Sequence, residues 1–298
     1  MIIINFKFDI DLNLKGKTKI LDKSQIHEIL KNFDQFGILR FKNLTSKPEN
    51  LIKFTDLFSK SYSNDAARRS KRLDSEKIRN VDLGYQEIKL HSEASFSPAR
   101  PEIIWFYCLK PPKENSGKTT YCDGIELWEK LSGKTKKFFL QDPVCYSLKI
   151  PVNGKITGKG KKPWFLNNPG VKNCFLDFDN KVICFDYIKF AVQESRLANK
   201  LAFANHLFVS LESEPQLISR KMYSGKKIPT EIENEIYSIS EKITKKITWK
   251  EKDLIMIDNQ RYMHGREKIN KDDKDRDIVN IQTAKTSFNA DYFYKLYN

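Results

Sequence analysis

Hydrophobic residues recur along the chain with the spacings of helices and of strands. Within residues 24–33, apolar side chains recur every three or four positions, which predicts a helix with Ser24 at its N-cap. Further helices are predicted over residues 47–61, 124–131, 134–141 and 231–246. Short apolar runs predict strands over residues 2–8, 36–42, 103–109, 254–257 and 278–281.

Two segments lack a clear period. Residues 63–80 are polar and charged, which predicts a loop, and residues 145–190 are rich in strand formers, glycine and proline. No internal repeat or low-complexity linker divides the chain. The pattern predicts one α+β domain over residues 1–298, with a mainly-β core, flanking helices and a loop-rich insert or lid around residues 145–245.

Composition adds a strong positive charge. The chain has 298 residues with 53 Lys+Arg against 38 Asp+Glu, a net charge of +15, and 40% of it is hydrophobic, which excludes global disorder. Such a charge is typical of proteins that bind nucleic acid or an anionic membrane surface. The lysines are nevertheless spread along the chain, so a lysine-rich surface is the preferred interpretation. The compact basic run 68–72 is interpreted as a solvated loop, with part of a lid as the alternative.

Two further features concern the compartment. No apolar run is long enough to span a membrane, and the brief apolar start predicts a first strand and not a signal peptide. The five cysteines are odd in number and include no C-x-x-C pair, which argues against a disulfide framework or a zinc–thiolate site. A reducing, cytoplasmic location is expected.

Candidate chemistry centres on the few histidines. His27 is expected on a helix surface, whereas His91 begins a His-Ser-Glu triplet that ends at Glu93, and His264 follows a buried strand. Two histidines and one carboxylate form the facial triad of non-haem iron oxygenases. On a strand, His91 and Glu93 would point to one face. Alone, H-x-E is common by chance, and a surface ion pair is the alternative.

The order of the motifs resembles the taurine dioxygenase (TauD/TfdA) family of Fe(II)- and 2-oxoglutarate-dependent oxygenases. The similarity covers most of the chain. It rests on these segments: residues 36–41; 90–96 with 100–102; 106–112; 117–119 with 123–124; and 258–266 with Arg276.

The resemblance implies a double-stranded β-helix (jelly-roll) fold and the cofactors Fe(II), 2-oxoglutarate and O2. It implies that His91, Glu93 and His264 are the iron ligands. Arg276 would then form a salt bridge to the distal carboxylate of 2-oxoglutarate, and Thr119 would hydrogen-bond that carboxylate. The default reaction is hydroxylation of an unactivated C–H bond, with release of succinate and CO2.

Two positions depart from the family pattern. Most members have Asp where this chain has Glu93, and Glu is similar to the clavaminate synthase-like and aspartate β-hydroxylase-like subgroup, which implies a free or carrier-bound amino acid as substrate. A carboxylate at this place argues against halogenation. Asn280 stands where taurine dioxygenase has a second arginine, so a sulfonate substrate is not expected.

Other residues are assigned more loosely. Asn205 and His206 lie in a segment similar to one near the active site of the aspartate-hydroxylase-like subgroup, and with Asn280 they are candidates for substrate contact. A structural role is the alternative for His206. Asp258 and Asn259 are expected to orient the distal histidine or to form a turn.

Alternatives to the amino-acid prediction remain. One is another small carboxylated or quaternary-amine metabolite, with desaturation, cyclisation or dealkylation as the outcome. The other, from a different class, is a basic nucleic-acid-binding protein with structural histidines. The sequence favours a small-molecule enzyme without membrane contact and leaves the oligomeric state open.

Overall fold

The computed structural model describes residues 1–4, 21–42, 44, 47–63, 69–81, 84–113, 116–152, 164–195, 199–273 and 275–288. The helices in these residues are α1 (Lys23–Phe36), α2 (Pro48–Asp56), α3 (Gly124–Lys130), α4 (Gly133–Gln141) and α5 (Thr230–Ile243). The first nine strands are β1 (Ile2–Ile4), β2 (Ile38–Phe41), β3 (Ser59–Tyr62), β4 (Lys71–Arg72), β5 (Ser75–Asn80), β6 (Ile88–His91), β7 (Ile103–Lys110), β8 (Thr119–Asp123) and β9 (Val144–Pro151). The others are β10 (Val171–Asp177), β11 (Val182–Lys189), β12 (Gln193–Glu194), β13 (Leu201–Ala202), β14 (Leu217–Met222), β15 (Lys245–Ile247), β16 (Leu254–Asp258), β17 (Tyr262–Arg266) and β18 (Asp277–Thr286).

The largest sheet is buried on both faces at its centre. Its strand order is β1-β2-β16-β7-β18-β5-β4, and β3 also pairs with β18. One face packs against helices α1 and α2, with Phe33, Phe54, Trp105 and Met256 fully buried between them. This burial explains why β7 and β16 are continuous apolar runs in the sequence, as predicted.

A second sheet, in the order β15-β8-β17-β6, faces the other side of the large sheet. Side chains from both sheets form a shared apolar cluster that includes Ile104, Phe106, Tyr121 and Tyr262. The two facing, mainly antiparallel sheets confirm the predicted α+β class with a mainly-β, jelly-roll core. Among the described residues, no helix combines the length and the apolar character that a membrane crossing requires.

The region 145–245 is more regular than the predicted insert. It contains most of a third sheet, β10-β11-β9-β14, together with the short β12–β13 pair and helix α5. Phe139, Tyr146, Phe185 and Phe203 are buried in the cluster that joins this region to helices α3 and α4. Its assignment as an insert or lid stays a prediction.

Three local predictions were wrong. Helix α1 is capped by Asp22, whose carboxylate accepts from the Gln25 backbone N–H while the Gln25 side chain accepts from the Asp22 N–H. Ser24 lies inside the first turn and donates its hydroxyl proton to Asp22.

Helix α2 ends earlier than predicted, and the strand β3 follows it. Two more strands, β4 and β5, lie in the predicted loop 63–80. The pattern missed them because these half-exposed strands at one end of the large sheet carry few apolar residues. The predicted extension of β1 over residues 5–8 lies outside the described residues.

Gly37 ends helix α1 in a left-handed conformation with φ of 64°, and its N–H donates to the Phe33 carbonyl at 2.7 Å. A Cβ at this position would lie 2.8 Å from Arg261 Cδ and 2.8 Å from Tyr262 Cε2. We therefore expect Gly37→Ala to lower the free energy of unfolding by about 1–3 kcal/mol, measured by urea denaturation. Gly133→Ala is the matched control, because a Cβ there meets nothing within 4 Å. Equal midpoints for the two variants would contradict the prediction.

Candidate metal centre and its cavity

Three side chains able to bind a metal converge where two neighbouring strands meet. His91 is the last residue of β6, and His264 is in the middle of β17. The antiparallel register of these strands places His91 directly opposite His264. Glu93 follows in the turn after β6, and all three residues are buried. The fold thus brings together a pair of histidines that are far apart in the sequence.

The donor atoms of the three residues all lie within 4.8 Å of one another. Glu93 Oε2 is 3.5 Å from His91 Nε2 and 3.7 Å from His264 Nε2. The Nδ1 atom of His91 lies 2.8 Å from the Lys89 carbonyl, which can only accept, so Nδ1 carries the proton and the Nε2 lone pair faces the cluster. Two imidazole nitrogens and a carboxylate are a donor set that fits Fe(II).

The convergence of His91 and Glu93 has a different origin from the predicted one. Strand β6 ends at His91, so Glu93 does not share a strand face with it. A tight turn follows instead, in which Ala94 adopts a left-handed φ of 48° and the Ser95 N–H donates to the Ser92 carbonyl. Such a conformation is unfavourable for a residue with a Cβ and persists only where the surroundings hold it.

Asn259 supplies that support. Its Oδ1 accepts from the Glu93 N–H at 2.8 Å, and its Nδ2 donates to the Glu93 and Pro101 carbonyls at 3.0 and 2.9 Å. The Ser92 hydroxyl donates to the Asn259 backbone carbonyl at 2.7 Å. Asn259 therefore holds the Glu93 turn, whereas the sequence suggested that it either orients His264 or forms a turn of its own. Asp258 accepts from the Gln260 N–H in the turn between β16 and β17.

We expect Asn259→Ala to destabilise the protein by about 2–4 kcal/mol, because it leaves the buried Glu93 and Pro101 backbone groups without partners. Loosening Glu93 should also weaken metal affinity by about 10–100-fold. Urea denaturation and Mn(II) titration measure the two effects. Asn180→Ala, which removes an exposed amide bonded to Asp177, is the control and should change neither quantity appreciably. Unchanged metal binding by Asn259→Ala would show that the turn does not depend on the amide.

Charge around Glu93 favours its ionised form. Burial by itself would raise the pKa of Glu93, but the guanidinium of Arg69 and the two imidazoles outweigh burial and hold this pKa well below its ordinary range. Arg69 Nη2 lies 3.2 and 3.3 Å from the two carboxylate oxygens. Burial, followed by the proximity of His91, lowers the pKa of His264 to about 4. At neutral pH, therefore, Glu93 is charged and His264 is neutral, as metal ligands must be.

The cluster opens into a cavity of about 600 Å³. The residues that line it come from both sheets, from the segment before β4 and from the loop before β14. They include these polar and charged side chains besides the three candidate ligands: Arg69, Gln86, Glu87, Lys89, Thr119, Ser210, Ser213, Glu214, Arg266, Arg276 and Asn280. A cavity of this size accommodates a small-molecule ligand together with a co-substrate.

Arg276 and Thr119, to which the resemblance assigns contact with the co-substrate, both line the cavity. Thr119 opens β8, and Arg276 immediately precedes β18. The Thr119 hydroxyl accepts from Trp249 Nε1 at 3.0 Å, so its own proton is directed to another acceptor. Arg276 donates through Nε to the Gly117 carbonyl at 3.1 Å. Gly117 itself has a φ of 52°, and a Cβ there would lie 3.1 Å from Arg276 Cδ. A hydroxyl donor and a guanidinium suit the distal carboxylate of 2-oxoglutarate.

Of the three candidate substrate residues, one lines the cavity and two do not. Asn280 lines the cavity from β18. Asn205 is buried and holds a loop, donating to the Ala191 carbonyl and accepting from the Leu207 N–H, and it is not among the cavity-lining residues. His206 also lies outside the lining and packs its ring edge-on at 5.3 Å from the His91 ring. It supports a candidate ligand and does not face the cavity.

Two cavity residues were missed as site candidates. Arg69 belongs to the basic run 68–72, which the sequence showed, but only the fold places its guanidinium on Glu93. Glu214 comes from the predicted insert and had no motif around it. Arg266 also lines the cavity, and it donates to the Gly84 and Gln86 carbonyls. Arg68 lies outside the described residues.

Comparisons with known proteins find a matching family and solved structures with a similar fold. A family model described as "Taurine catabolism dioxygenase TauD, TfdA family" matches residues 6–282. Among solved structures, a taurine dioxygenase from Burkholderia xenovorans superposes with a TM-score of 0.52 at 14% identity, covering 88% of this chain and 80% of that chain. The structure of AAD-2 with Mn(II) and N-oxalylglycine superposes with a TM-score of 0.56 at 17% identity, covering 88% of both chains. These structural similarities show the fold alone. A search of curated protein sequences gives no match.

Proposed function

The chain belongs to the TauD/TfdA family, and we propose that within this family it hydroxylates an unactivated C–H bond of a free or carrier-bound amino acid. Its family makes it an Fe(II)- and 2-oxoglutarate-dependent dioxygenase with a small-molecule substrate. Its cofactors are Fe(II), 2-oxoglutarate and O2. The amino-acid substrate, the site residues and the hydroxylation outcome are the proposal.

The observation that carries the proposal is the buried cluster of His91, Glu93 and His264 at the wall of a cavity that also contains Arg276 and Thr119. Three such donors would hold Fe(II) and would leave coordination positions for the co-substrate and O2. The guanidinium of Arg276 and the hydroxyl of Thr119 supply the two kinds of donor that a carboxylate accepts best.

When bound, Fe(II) and 2-oxoglutarate would supply, by reaction with O2, an oxidant able to break an unactivated C–H bond, with release of succinate and CO2. The residues of this chain contribute position and shielding. His91 is oriented by the Lys89 carbonyl, and Glu93 is oriented through its backbone by Asn259. Phe106 packs its ring 5.2 Å from the His264 ring and lines the cavity, so apolar surface as well as polar groups surrounds the reacting atoms.

Two observations support an amino acid. The first is the Glu93 position, which is similar to the amino-acid-hydroxylating subgroup. The second is the cavity wall, which carries positive and negative side chains together with hydroxyl and amide groups. A sulfonate substrate is disfavoured, because Asn280 supplies no positive charge at its position.

The proposal is tested in two steps. Anaerobic addition of Fe(II) and 2-oxoglutarate to the protein should give a weak visible charge-transfer band. Turnover of 2-oxoglutarate is then screened over the twenty L-amino acids, and succinate is measured. A band followed by substrate-dependent succinate supports the function. Absence of the band, together with strong salt-dependent binding of DNA or RNA, would instead favour the nucleic-acid-binding alternative.

A further inference from the structure

Apart from the proposed metal and co-substrate residues, the cavity is lined by a second set of polar groups with both signs of charge. Arg69 contributes a cation, Glu214 an anion and Asn280 a buried amide. These three residues come from different parts of the chain, namely the segment before β4, the loop before β14 and the strand β18. Their chemistry restricts what the substrate can be.

Arg69 lies directly beside the candidate metal ligands. Its side chain is only 15% exposed, and its Nη2 lies 3.2 and 3.3 Å from the two oxygens of the Glu93 carboxylate. A guanidinium carries five N–H donors in a planar fork suited to carboxylates. A substrate carboxylate that binds Arg69 would therefore lie next to the metal centre and would bring its neighbouring carbons close to it.

Glu214 provides a negative charge inside the cavity. Its carboxylate is 28% exposed and lies 3.5 Å from Nε2 of His206, whose ring packs against His91. The other acid that lines the cavity outside the metal cluster, Glu87, pairs with Lys89 at 2.7 Å, and both of those side chains are more than half exposed. Glu214 is thus the better placed acid for a cationic group of a bound substrate.

Asn280 adds a buried amide to the cavity wall. It is 1% exposed, and its Oδ1 accepts no hydrogen bond from the described residues. A buried acceptor without a partner costs roughly as much free energy as a lost hydrogen bond. 2-Oxoglutarate is a dianion with acceptor oxygens only, so it cannot satisfy Asn280. A substrate with N–H groups can.

We propose that the substrate is a free, zwitterionic amino acid, whose carboxylate binds Arg69 and whose ammonium group binds Glu214, with Asn280 as a further acceptor for its N–H or other donor groups. This inference rests on the proposed function and narrows it. In a carrier-bound aminoacyl group the carboxylate is consumed in a thioester, which carries no charge for Arg69 to bind. The cavity therefore selects the free amino acid over the carrier-bound one.

The test measures binding without turnover. The protein is loaded with Mn(II) and N-oxalylglycine, and calorimetry gives the dissociation constant of each of the twenty L-amino acids. The tightest ligand is then compared with its methyl ester, its N-acetyl derivative and its N-acetylcysteamine thioester. Masking either charge should weaken binding by at least about 100-fold.

Variants assign each charge to its residue. Arg69→Gln should weaken binding of the amino acid by about 100-fold yet leave the methyl ester unchanged, because the ester never used the guanidinium. Glu214→Gln should likewise weaken binding of the amino acid by about 100-fold and leave binding of its N-acetyl derivative unchanged. Lys71→Gln, which removes a charge from the exposed Lys71–Glu76 pair, and Glu212→Gln, at an exposed position, are the matched controls and should bind like the wild type.

The outcomes separate this inference from the proposed function. If wild-type protein forms the charge-transfer band but prefers the thioester or the ester, the zwitterion is wrong and the dioxygenase stands. If Arg69→Gln raises the 2-oxoglutarate requirement and leaves the amino-acid affinity intact, Arg69 binds the co-substrate, which also overturns the inference. Failure of wild-type protein to form the band contradicts the proposed function itself.

Discussion

Replacement of His91 or Glu93 with alanine should abolish substrate-dependent succinate formation, with a loss of at least about 1,000-fold. Each variant removes one of three ligands from a buried cluster whose donors lie within 4.8 Å of one another, and two ligands do not hold the metal in a fixed geometry. The loss should be matched by loss of the charge-transfer band. Succinate assays and anaerobic absorption spectra measure the two effects.

His27→Ala is the control for the ligand variants, because His27 lies on helix α1, away from the cavity. It should retain the band and full turnover. The far-ultraviolet circular dichroism spectra of all variants should match that of the wild type, which separates lost chemistry from lost folding. Normal turnover by either ligand variant would refute the assignment of the triad.

Arg276→Ala should raise the apparent 2-oxoglutarate requirement by about 100-fold, while the maximal rate at saturating co-substrate falls less. Arg276 is 8% exposed, and truncating one partner of a buried charge-assisted contact typically costs 2–5 kcal/mol. Arg276→Lys keeps the charge without the planar fork and should fall between alanine and wild type. Thr119→Val removes one hydroxyl donor and should raise the requirement by about 5–10-fold.

Succinate formation as a function of 2-oxoglutarate concentration measures all three variants. Lys118→Ala serves as a control, since it removes a neighbouring cation that does not line the cavity. An unchanged requirement in Arg276→Ala would mean that a different basic residue holds the co-substrate.

The apolar pattern of the sequence predicted a mainly-β α+β domain, and the resemblance to the TauD/TfdA family implied the jelly-roll fold and the candidate ligands. The apolar runs at β7 and β16 follow from burial on both faces, and H-x-E with a distant histidine is recognisable as a motif. The sequence missed strands β3, β4 and β5, whose half-exposed faces lack an apolar period. It also misplaced the cap of α1, since Asp22 and Ser24 are both good N-cap residues and only the chain path separates them.

The residues that complete the site were harder to predict. Asn259 holds the turn after His91 through hydrogen bonds between segments that no local pattern connects. Arg69 and Glu214 reach the cavity from segments predicted as a loop and as an insert. His206 was a candidate for substrate contact, with a structural role as the alternative. The sequence cannot show whether its buried ring packs against His91 on the cavity side or on the side away from the cavity.

The cross-strand pairing of the two histidines also bears on how the protein folds. Ser92 and Asn259 bond across 167 positions of the chain, so the centre forms only after the C-terminal strands have docked on the N-terminal half. Long-range antiparallel contacts of this kind slow folding, because the chain loses the entropy of closing a long loop before the contacts stabilise it. Cations and co-substrate that bind only the assembled centre shift the folding equilibrium by mass action. The concentrations of metal and co-substrate would then change the fraction of the chain that is folded, as well as the rate of turnover.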